Sequence, residues 1–593
     1  MSFRTIRMRL RRARRAAFRA IETASHAAGE QFDKNFLGRF GRLGRVWRPV
    51  TVWLLAVGAL ATGLGLQISS LKPYYQVLLP APGGMYSEGI EGSFTTANPI
   101  YAINSVDTSV SRLLFAGLLT YDSKNHLVSN LADQWSVNDA GTVYTVHLRP
   151  HLTWHDGQPL TADDVVFTYK TIQNPDAQSP LFTSWQGVKV AELSPDTVSF
   201  TLPNPLSSFP YSLTTGIIPK HILGSFDAAD LRSAGFNTAS PIGSGPFMWS
   251  SIGVSGTGKD AEEQIVLAPF RSYWAGAPKL GSFSIHAYAD RNAMISAYRN
   301  RAITAMAGLD TVPAAIAADK TSRQYSMALT AGTYTFFRTT NAILHDVKVR
   351  QALVLAADPS AIIKQLGYPA VPVTEAMLAA QFAYNPAYAQ TTGQLAKAQQ
   401  LLDADGWLMG SNGIRAKQGQ PLTFSLVATN TAEYSTVADQ LRSQWKALGA
   451  NVTLQLLPVD SFQYALSTHS YDALLYGISI GVDPDVFAYW DSSQADVRSA
   501  SRLNFSEYSS TAADASLEAG RTRLDPALRA VKYKPFLQAW QTDAPALGLY
   551  QPRLLYVSHV QVYGLDATQI NADADMYSNV QNWMIHVAWQ TRQ

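Results

Sequence analysis

The sequence of 593 residues predicts a mixed α/β protein that follows a single membrane-spanning helix. Three observations support this prediction. Runs of strand-like and helical composition alternate along most of the chain, the length is that of several domains, and an uncharged stretch follows a basic N-terminus. The chain contains no cysteine, which excludes disulfides, thiolate metal sites, a cysteine nucleophile and a lipid-modified cysteine anchor.

The N-terminal arm, residues 1–48, carries most of the positive charge. It holds 13 basic and 3 acidic residues, a net charge of +10, whereas the remainder holds 34 basic and 41 acidic residues, a net charge of −7. Nucleic-acid binding by the acidic body is therefore not expected. A basic arm before an apolar stretch predicts a cytoplasmic N-terminus attracted to the anionic inner leaflet, and an extracytoplasmic C-terminal body.

The uncharged run at 49–71 is long enough to cross a membrane as a helix. Its length as a helix is about 35 Å, against a hydrocarbon core of about 30 Å. Tryptophans lie near its start and Tyr74 and Tyr75 near its end, as in an aromatic belt. The alternative is a signal peptide with Ala59-Leu-Ala61 as its cleavage motif. The length of the basic arm favours an uncleaved, single-pass anchor.

Three local signals occur close together after residue 130. A turn cluster at 138–141 separates two strand-like runs, 134–137 and 143–148. Asp156-Gly157 is a second tight turn, because glycine adopts a positive φ without steric cost. Thr161 and Asp164 precede an apolar run and form the pattern of a capped helix start.

In this order, these signals resemble those of the extracellular solute-binding proteins of family 5, which serve ABC importers of oligopeptides, dipeptides and nickel. The resemblance extends over about residues 85–560. Further segments carry it, and they follow one another at the family's spacing. Residues 111–119 resemble the family's first helix, 241–247 its glycine-rich turn before a strand, and 271–274 the end of the following strand. Residues 346–353 resemble the segment that opens a helix of the second lobe, and 398–407 a later helix that a glycine ends.

The resemblance implies a periplasmic-binding-protein-like fold of two lobes with an extra inserted domain, and enclosure of ligand by hinge closure. It implies a receptor that is not an enzyme, captures a short peptide, serves ABC permease subunits, needs no cofactor and acts as a monomer. The expected divisions are a basic cytoplasmic arm (1–48), a transmembrane anchor (49–71), a short stiff linker (72–84), a first lobe (85–118, 206–324 and 546–593), an inserted domain (119–205) and a second lobe (325–545).

The ligand site is expected in the loop 477–485, beyond the carboxyl end of a strand at 471–476, since ligands favour such places in α/β sheets. The resemblance aligns Asp483-Pro-Asp485 with an Asp-Pro-Asp motif of the family, which places Ile480 where many peptide binders have an aspartate that meets the peptide amine. An isoleucine cannot neutralise an ammonium group, and a buried unpaired charge costs several kcal/mol. Either Asp483 replaces that aspartate or the ligand has no free amine there.

Other residues are expected around the ligand. The candidates for the wall of the cleft are Tyr476, Trp490, Tyr489 and Trp185, because apolar walls with few polar groups suit varied side chains. Ser479 is a further candidate because it lies in the expected ligand loop. Arg338 could bind a ligand carboxylate through two hydrogen bonds, although an ion pair within the protein is an equal alternative. The predicted substrate-binding residues are therefore Tyr476, Ser479, Ile480, Asp483, Trp490 and Arg338.

Several alternatives remain open. Residues 477–481 match the G-x-S-x-G pattern of serine hydrolases, but that pattern needs a helix directly after Ser479, where Asp-Pro-Asp follows instead. His151 and His155 are four residues apart, but the turn at Asp156-Gly157 means that they would not share a helix face. There is also no H-E-x-x-H motif, so no side-chain metal site is expected. The ligand could be a chelated metal, a sugar or a modified peptide. The chain could also be a membrane-tethered sensor that serves no importer.

Overall fold

The computed structural model describes residues 47–309, 311–367, 370–499 and 502–591, so the basic arm lies outside the described residues. The chain divides into two compact units. One contains the chain ends, up to Leu79 and from Val587 onward, and the other is Pro80–His586.

The strands, β1 to β25 in chain order, are Gln76–Ala81, Met85–Glu91, Leu119–Tyr121, Leu127–Ser129, Ala132–Val137, Val143–Leu148, Lys189–Ser194, Thr197–Thr201, Phe247–Ser255, Glu262–Pro269, Ser282–Tyr288, Ala305–Leu309, Arg323–Leu329, Ala331–Phe337, Val371–Pro372, Leu408–Met409, Arg415–Lys417, Gln420–Pro421, Thr423–Thr429, Asn451–Leu457, Ala473–Ser479, Ala546–Gln551, Arg553–Ser558, Gln569–Ile570 and His586–Thr591.

The α-helices, α1 to α14 in chain order, are Trp47–Tyr75, Ser105–Leu114, Ala162–Gln173, Lys220–Leu223, Arg291–Arg299, Ala314–Ala317, Val347–Ala356, Pro359–Leu366, Leu395–Ala404, Ala432–Leu448, Val459–Thr468, Phe487–Trp490, Thr511–Arg521 and Pro526–Asp543.

The helix expected at 49–71 is present as part of α1. Its first 25 residues, Trp47–Leu71, are long and apolar enough to cross a membrane. Large apolar side chains such as Trp53 and Leu55 are exposed along it, so no core formed by the described residues covers them. Within the stretch expected to be a linker, α1 continues to Tyr75 and β1 follows at once.

An eight-stranded mixed sheet forms the core of the first lobe, in the order β24-β13-β23-β12-β2-β11-β10-β9. At its centre β2 runs parallel to both β11 and β12. Toward the edge, β10 alternates in burial, with Ile265 and Leu267 buried and their neighbours more exposed, as expected of a strand with one face against a core.

A separate four-stranded sheet, β5-β6-β8-β7, lies within the predicted inserted domain. Its first two strands are the expected hairpin, and the expected turn has Gly157 at φ +86°. The capping prediction is confirmed, because the Thr161 backbone N–H donates to the Asp164 carboxylate at 3.0 Å at the start of α3.

The second lobe has a six-stranded sheet in the order β15-β22-β14-β21-β19-β20, in which β19 runs parallel to β20 and β21. Helix α7 begins where the sequence predicts, with the Asp346 carboxylate accepting the Lys348 backbone N–H at 2.9 Å. Helix α9 ends before Gly406, whose φ of +87° stops it as expected.

The chain passes between the lobes twice, and one residue makes each crossing. Thr330 joins β13 of the first lobe to β14 of the second, and Pro552 joins β22 back to β23. Residues 325–329 therefore pair in the first-lobe sheet and residues 546–551 in the second-lobe sheet. The expected lobe limits were a few residues early at both points, because each strand continues up to its crossing.

Candidate functional site

Both central sheets direct the carboxyl ends of their parallel strands toward the two crossings. In the first lobe, Leu309 at the end of β12 pairs with Leu555, three residues after Pro552. In the second lobe, Ser479 at the end of β21 pairs with Ala331, next to Thr330. Ligands of open α/β sheets bind at such carboxyl ends, so the space between the lobes at the crossings is the candidate site.

Thr330, at the first crossing, forms hydrogen bonds to both lobes. Its carbonyl oxygen accepts the backbone N–H groups of Ile480 and Gly481, both at 2.9 Å. Its hydroxyl donates to the side-chain carbonyl oxygen of Asn571 at 2.6 Å, on the first-lobe side. The residue is almost fully buried. The loop that follows β21, residues 480–485 and hereafter the site loop, is thus fixed directly to a crossing residue.

The strand before this loop lies two to three residues later in the chain than expected. It was predicted at 471–476 but runs as β21 from Ala473 to Ser479, so residues 477–479 belong to the sheet rather than to the loop. Ser479 is exposed at the end of the strand, and its carbonyl oxygen accepts the Tyr489 hydroxyl at 2.7 Å. Ile480, the next residue, is buried in the core of the second lobe.

Asp483 is buried and already paired. Arg529 donates to both of its carboxylate oxygens, at 2.6 and 2.7 Å, and also to the Gly520 carbonyl at 2.9 Å. Burial alone would lower the pKa of Arg529, but the hydrogen bond and charge of Asp483 outweigh burial and raise it. The arrangement argues against Asp483 as a free carboxylate for a ligand amine.

Asp485, at the end of the site loop, has partners on both sides of the lobe boundary. Its carboxylate lies 3.2 Å from the Arg521 guanidinium and accepts the Ser208 hydroxyl at 3.1 Å. Burial raises the pKa of Asp485, and the positive charge of Arg521 opposes that rise. Both carboxylates of the site loop therefore have partners within the protein: Asp483 pairs with Arg529, and Asp485 pairs with Arg521 and Ser208.

Trp490 is a core residue, contrary to the expectation that it lines the cleft. It is fully buried, with ring centroids 5.5 Å from Phe336 and 5.7 Å from Trp540. The short helix α12 turns its ring into the lobe. Tyr476 is half-buried against Phe462 and belongs to the edge of the same core.

Arg338 lies apart from the other predicted site residues. It follows the far end of β14, where Phe337 pairs with Ala473, whereas Ser479 pairs with the near end. Its guanidinium donates to the His469 carbonyl at 3.2 Å and lies 3.7 Å from the Asp472 carboxylate. This geometry agrees with the internal ion pair that the sequence left open.

The geometry around Ser479 differs from that of a hydrolase nucleophile. No helix starts directly after it, since α12 begins only at Phe487. Within the described residues its hydroxyl has no hydrogen bond to a histidine.

His155 is held by backbone groups of Gly243 and Gly245, and burial lowers its pKa to about 4. Among all the residues that the structure describes, no group of three or more His, Asp or Glu side chains could hold a metal ion.

Sequence reasoning missed Thr330, Asn571 and Arg529. Each acts through a partner distant in the chain: 241 positions separate Thr330 from Asn571, and 46 separate Arg529 from Asp483. A threonine between two strand-like runs is a weak signal for a crossing. An arginine within a helical run carries no signal for a buried pair.

Comparison with known proteins adds to this geometry. A family model described as bacterial extracellular solute-binding proteins, family 5 (middle), matches residues 126–499. The oligopeptide-binding protein AppA of Bacillus subtilis is 27% identical over 522 residues, which cover 85% of this chain and 92% of AppA.

Two solved structures are similar in fold and sequence. NikZ from Campylobacter jejuni, in complex with Ni(L-His), has a TM-score of 0.70 and 26% identity, covering 84% of this chain and 99% of NikZ. AppA from Bacillus subtilis, in complex with a nonapeptide, has a TM-score of 0.66 and 25% identity, covering 86% of this chain and 100% of AppA.

Proposed function

The chain belongs to the bacterial extracellular solute-binding proteins of family 5, and from that premise we propose that it captures a short peptide between its lobes for an ABC importer. The observation that carries this proposal is the pair of single-residue crossings, with the carboxyl ends of both sheets directed at them. Ligand contacts from both lobes favour the closed arrangement, because a ligand shifts an equilibrium by its differential affinity. Permease subunits would recognise that arrangement.

Peptide is preferred because of the named relatives. AppA is an oligopeptide-binding protein by name, and its solved structure holds a nonapeptide. In this chain Ile480 is apolar, and the Asp483 carboxylate is occupied by Arg529. We therefore propose that the site loop does not hold a free α-amine, so that the ligand either runs past the loop or carries a blocked amine there.

A chelated metal is the second candidate. It is favoured by NikZ, which was solved with Ni(L-His) and covers most of this chain. A receptor that holds nickel through its chelator needs polar groups for the chelator rather than a full set of protein ligands for the metal. The site would then bind a small polar metal chelate in place of a peptide.

For localisation, family membership supports an extracytoplasmic body. We propose that α1 is an uncleaved, single-pass anchor with the N-terminus in the cytoplasm, and that the receptor acts as a monomer. The length and apolar composition of Trp47–Leu71 and the 13 basic residues at 1–48 support this orientation.

Mass spectrometry of the small molecules that denaturation releases from the purified full-length chain tests this function. We expect short peptides. Ser479→Trp places a large ring at the exposed end of β21 and should empty the site. Ser470→Trp, an exposed substitution just before the same strand begins, should retain the peptides.

Two results would count against the proposal. Release of a nickel chelate or another non-peptide solute would favour the second candidate. Equal amounts of peptide from both variants would show that the ligand does not lie against Ser479.

A further inference from the structure

A pocket of about 230 Å³ lies in the first lobe, at the edge of the sheet where the carboxyl ends of its parallel strands meet. Glu91 ends β2 and Gly308 lies just before the end of β12, and both line the pocket. Asp573, which begins a short 3₁₀ helix, lines it as well and comes soon after Asn571, the partner of Thr330. This first-lobe pocket is therefore part of the wall of the candidate site.

The lining of the first-lobe pocket combines apolar and polar groups. Ile90, Ala307 and Met576 supply apolar surface, and the Ser105 hydroxyl and the Asp573 carboxylate supply polar atoms. Lysine and arginine side chains have the same two parts, since their hydrocarbon stems lie on apolar surface while their charged ends stay among polar groups. A ligand group of this kind matches the pocket better than a wholly apolar or a wholly polar one.

The Asp573 carboxylate is accessible and is only weakly held within the protein. It is partly exposed, and the hydrogen bond that it accepts from the Ser105 hydroxyl is long, at 3.5 Å. The two helices that begin beside it are capped by other residues, because Asp575 accepts a backbone N–H at the start of the 3₁₀ helix and Asn104 does so at the start of α2. The Asp573 oxygens can therefore accept hydrogen bonds from a ligand.

Within the described residues, no positive charge is paired with Asp573. Arg291 also lines the pocket, but it donates to Glu91 at 2.7 Å, and Arg112 pairs with Asp575. Burial raises the pKa of Asp573, and the negative charge of Asp575 adds to that rise. The ionised carboxylate thus lacks a counter-charge, which a cationic ligand group would supply.

A second carboxyl group lies next to the pocket. Glu88 is fully buried in β2 and accepts the hydroxyls of Tyr556 and Tyr577, and Tyr577 itself lines the pocket. Burial raises the pKa of Glu88 to about 7; the tyrosine hydrogen bonds oppose that rise and the charge of Asp573 adds to it. A cation in the pocket would therefore be attracted by both carboxyl groups.

We propose that the first-lobe pocket holds the cationic end of an arginine or lysine side chain of the bound peptide, with Asp573 as its counter-charge. The inference rests on the proposed capture of peptides and adds a preference for basic side chains. The apolar part of the lining favours a side chain over the α-amine, because the stem of lysine or arginine covers that surface.

Calorimetric titration of the full-length chain tests this preference. The ligands are short alanine peptides that carry one arginine at each position in turn, and matched peptides with citrulline, which has nearly the same shape and no charge. At one position, wild type should bind the arginine peptide about tenfold or more tightly. Asp573→Asn should abolish that preference and keep the affinity for the citrulline peptide. Asp566→Asn, an exposed substitution outside the pocket lining, should keep the preference.

The contrary outcomes differ from one another. Equal affinity of wild type for arginine and citrulline at every position would overturn the basic preference and leave peptide capture intact. An unchanged preference in Asp573→Asn would overturn the assignment to this pocket. No binding of any peptide by wild type would overturn the proposed function together with the pocket. If Asp573→Asn does not fold, Ser105→Lys places an ammonium group beside Asp573 from an exposed position and should abolish the same preference.

Discussion

Replacing Arg529 with methionine is expected to lower the free energy of unfolding by about 3–5 kcal/mol. The substitution keeps most of the side-chain volume but removes the two hydrogen bonds to Asp483, which remains buried. A buried carboxylate without a counter-charge is costly, whereas the pair itself adds little net stability. Urea denaturation of wild type and variant measures the difference.

A double-mutant cycle and a surface control make this test specific. Asp483→Asn combined with Arg529→Met removes the uncompensated charge and should recover part of the lost stability. Arg498→Met removes a guanidinium that is 87% exposed and pairs with Asp496, so it should leave stability nearly unchanged. Equal effects of Arg498→Met and Arg529→Met would contradict the importance given to the buried pair.

Glu375→Gln is expected to make the protein more stable than wild type as the pH rises. Glu375 is fully buried; one oxygen accepts the Asn385 backbone N–H at 3.0 Å and the other has no hydrogen-bond partner. Burial raises its pKa from 4.5 to about 8, and the bond from Asn385 offsets only part of that rise.

The sign of this pH dependence follows from the number of protons that the folded and unfolded states bind. The folded state keeps the Glu375 proton up to about pH 8, whereas the unfolded state releases it near the ordinary pKa. The free energy of unfolding of wild type therefore falls by about 1.4 kcal/mol per pH unit across that range, about 4–5 kcal/mol in total. Glutamine has no proton to lose, so between pH 5 and pH 8 the stability difference should grow by about 3–4 kcal/mol in favour of the variant.

Denaturation of both proteins at about pH 5 and about pH 8 measures the change, since effects of all other groups cancel in the comparison. Glu192→Gln, an exposed substitution on β7, is the matched control and should show no such pH dependence. A difference between Glu375→Gln and wild type that stays constant with pH would contradict a buried, protonated Glu375.

Local features of the fold were predictable because short-range chemistry determines them. The capped start of α3 at Thr161, the capped start of α7 at Asp346 and the start of β9 after a glycine-rich turn all depend on residues a few positions apart. The two-lobed arrangement was predicted from a family resemblance, and that resemblance rested on the order of several such segments.

The site was less predictable, because its contacts join distant parts of the chain. The loop after β21 was found from its position, but the pairing of Asp483 with Arg529 required the fold of α14. Trp490 is aromatic and close to the loop in sequence, yet packing in the core places it inside the lobe. An aromatic residue near a loop can belong either to the wall of the cleft or to the core. For Trp490 the direction of the short helix α12 decides, and the sequence does not show that direction.

Calorimetric titration of the full-length chain with synthetic short peptides and their N-acetylated forms tests the central claim most directly. Capture of a peptide without an amine anchor at the site loop predicts that both forms bind, with dissociation constants within about threefold. A loss of about 100-fold on acetylation would show that a carboxylate does hold the amine. Absence of binding by either form of any peptide would contradict the peptide receptor itself.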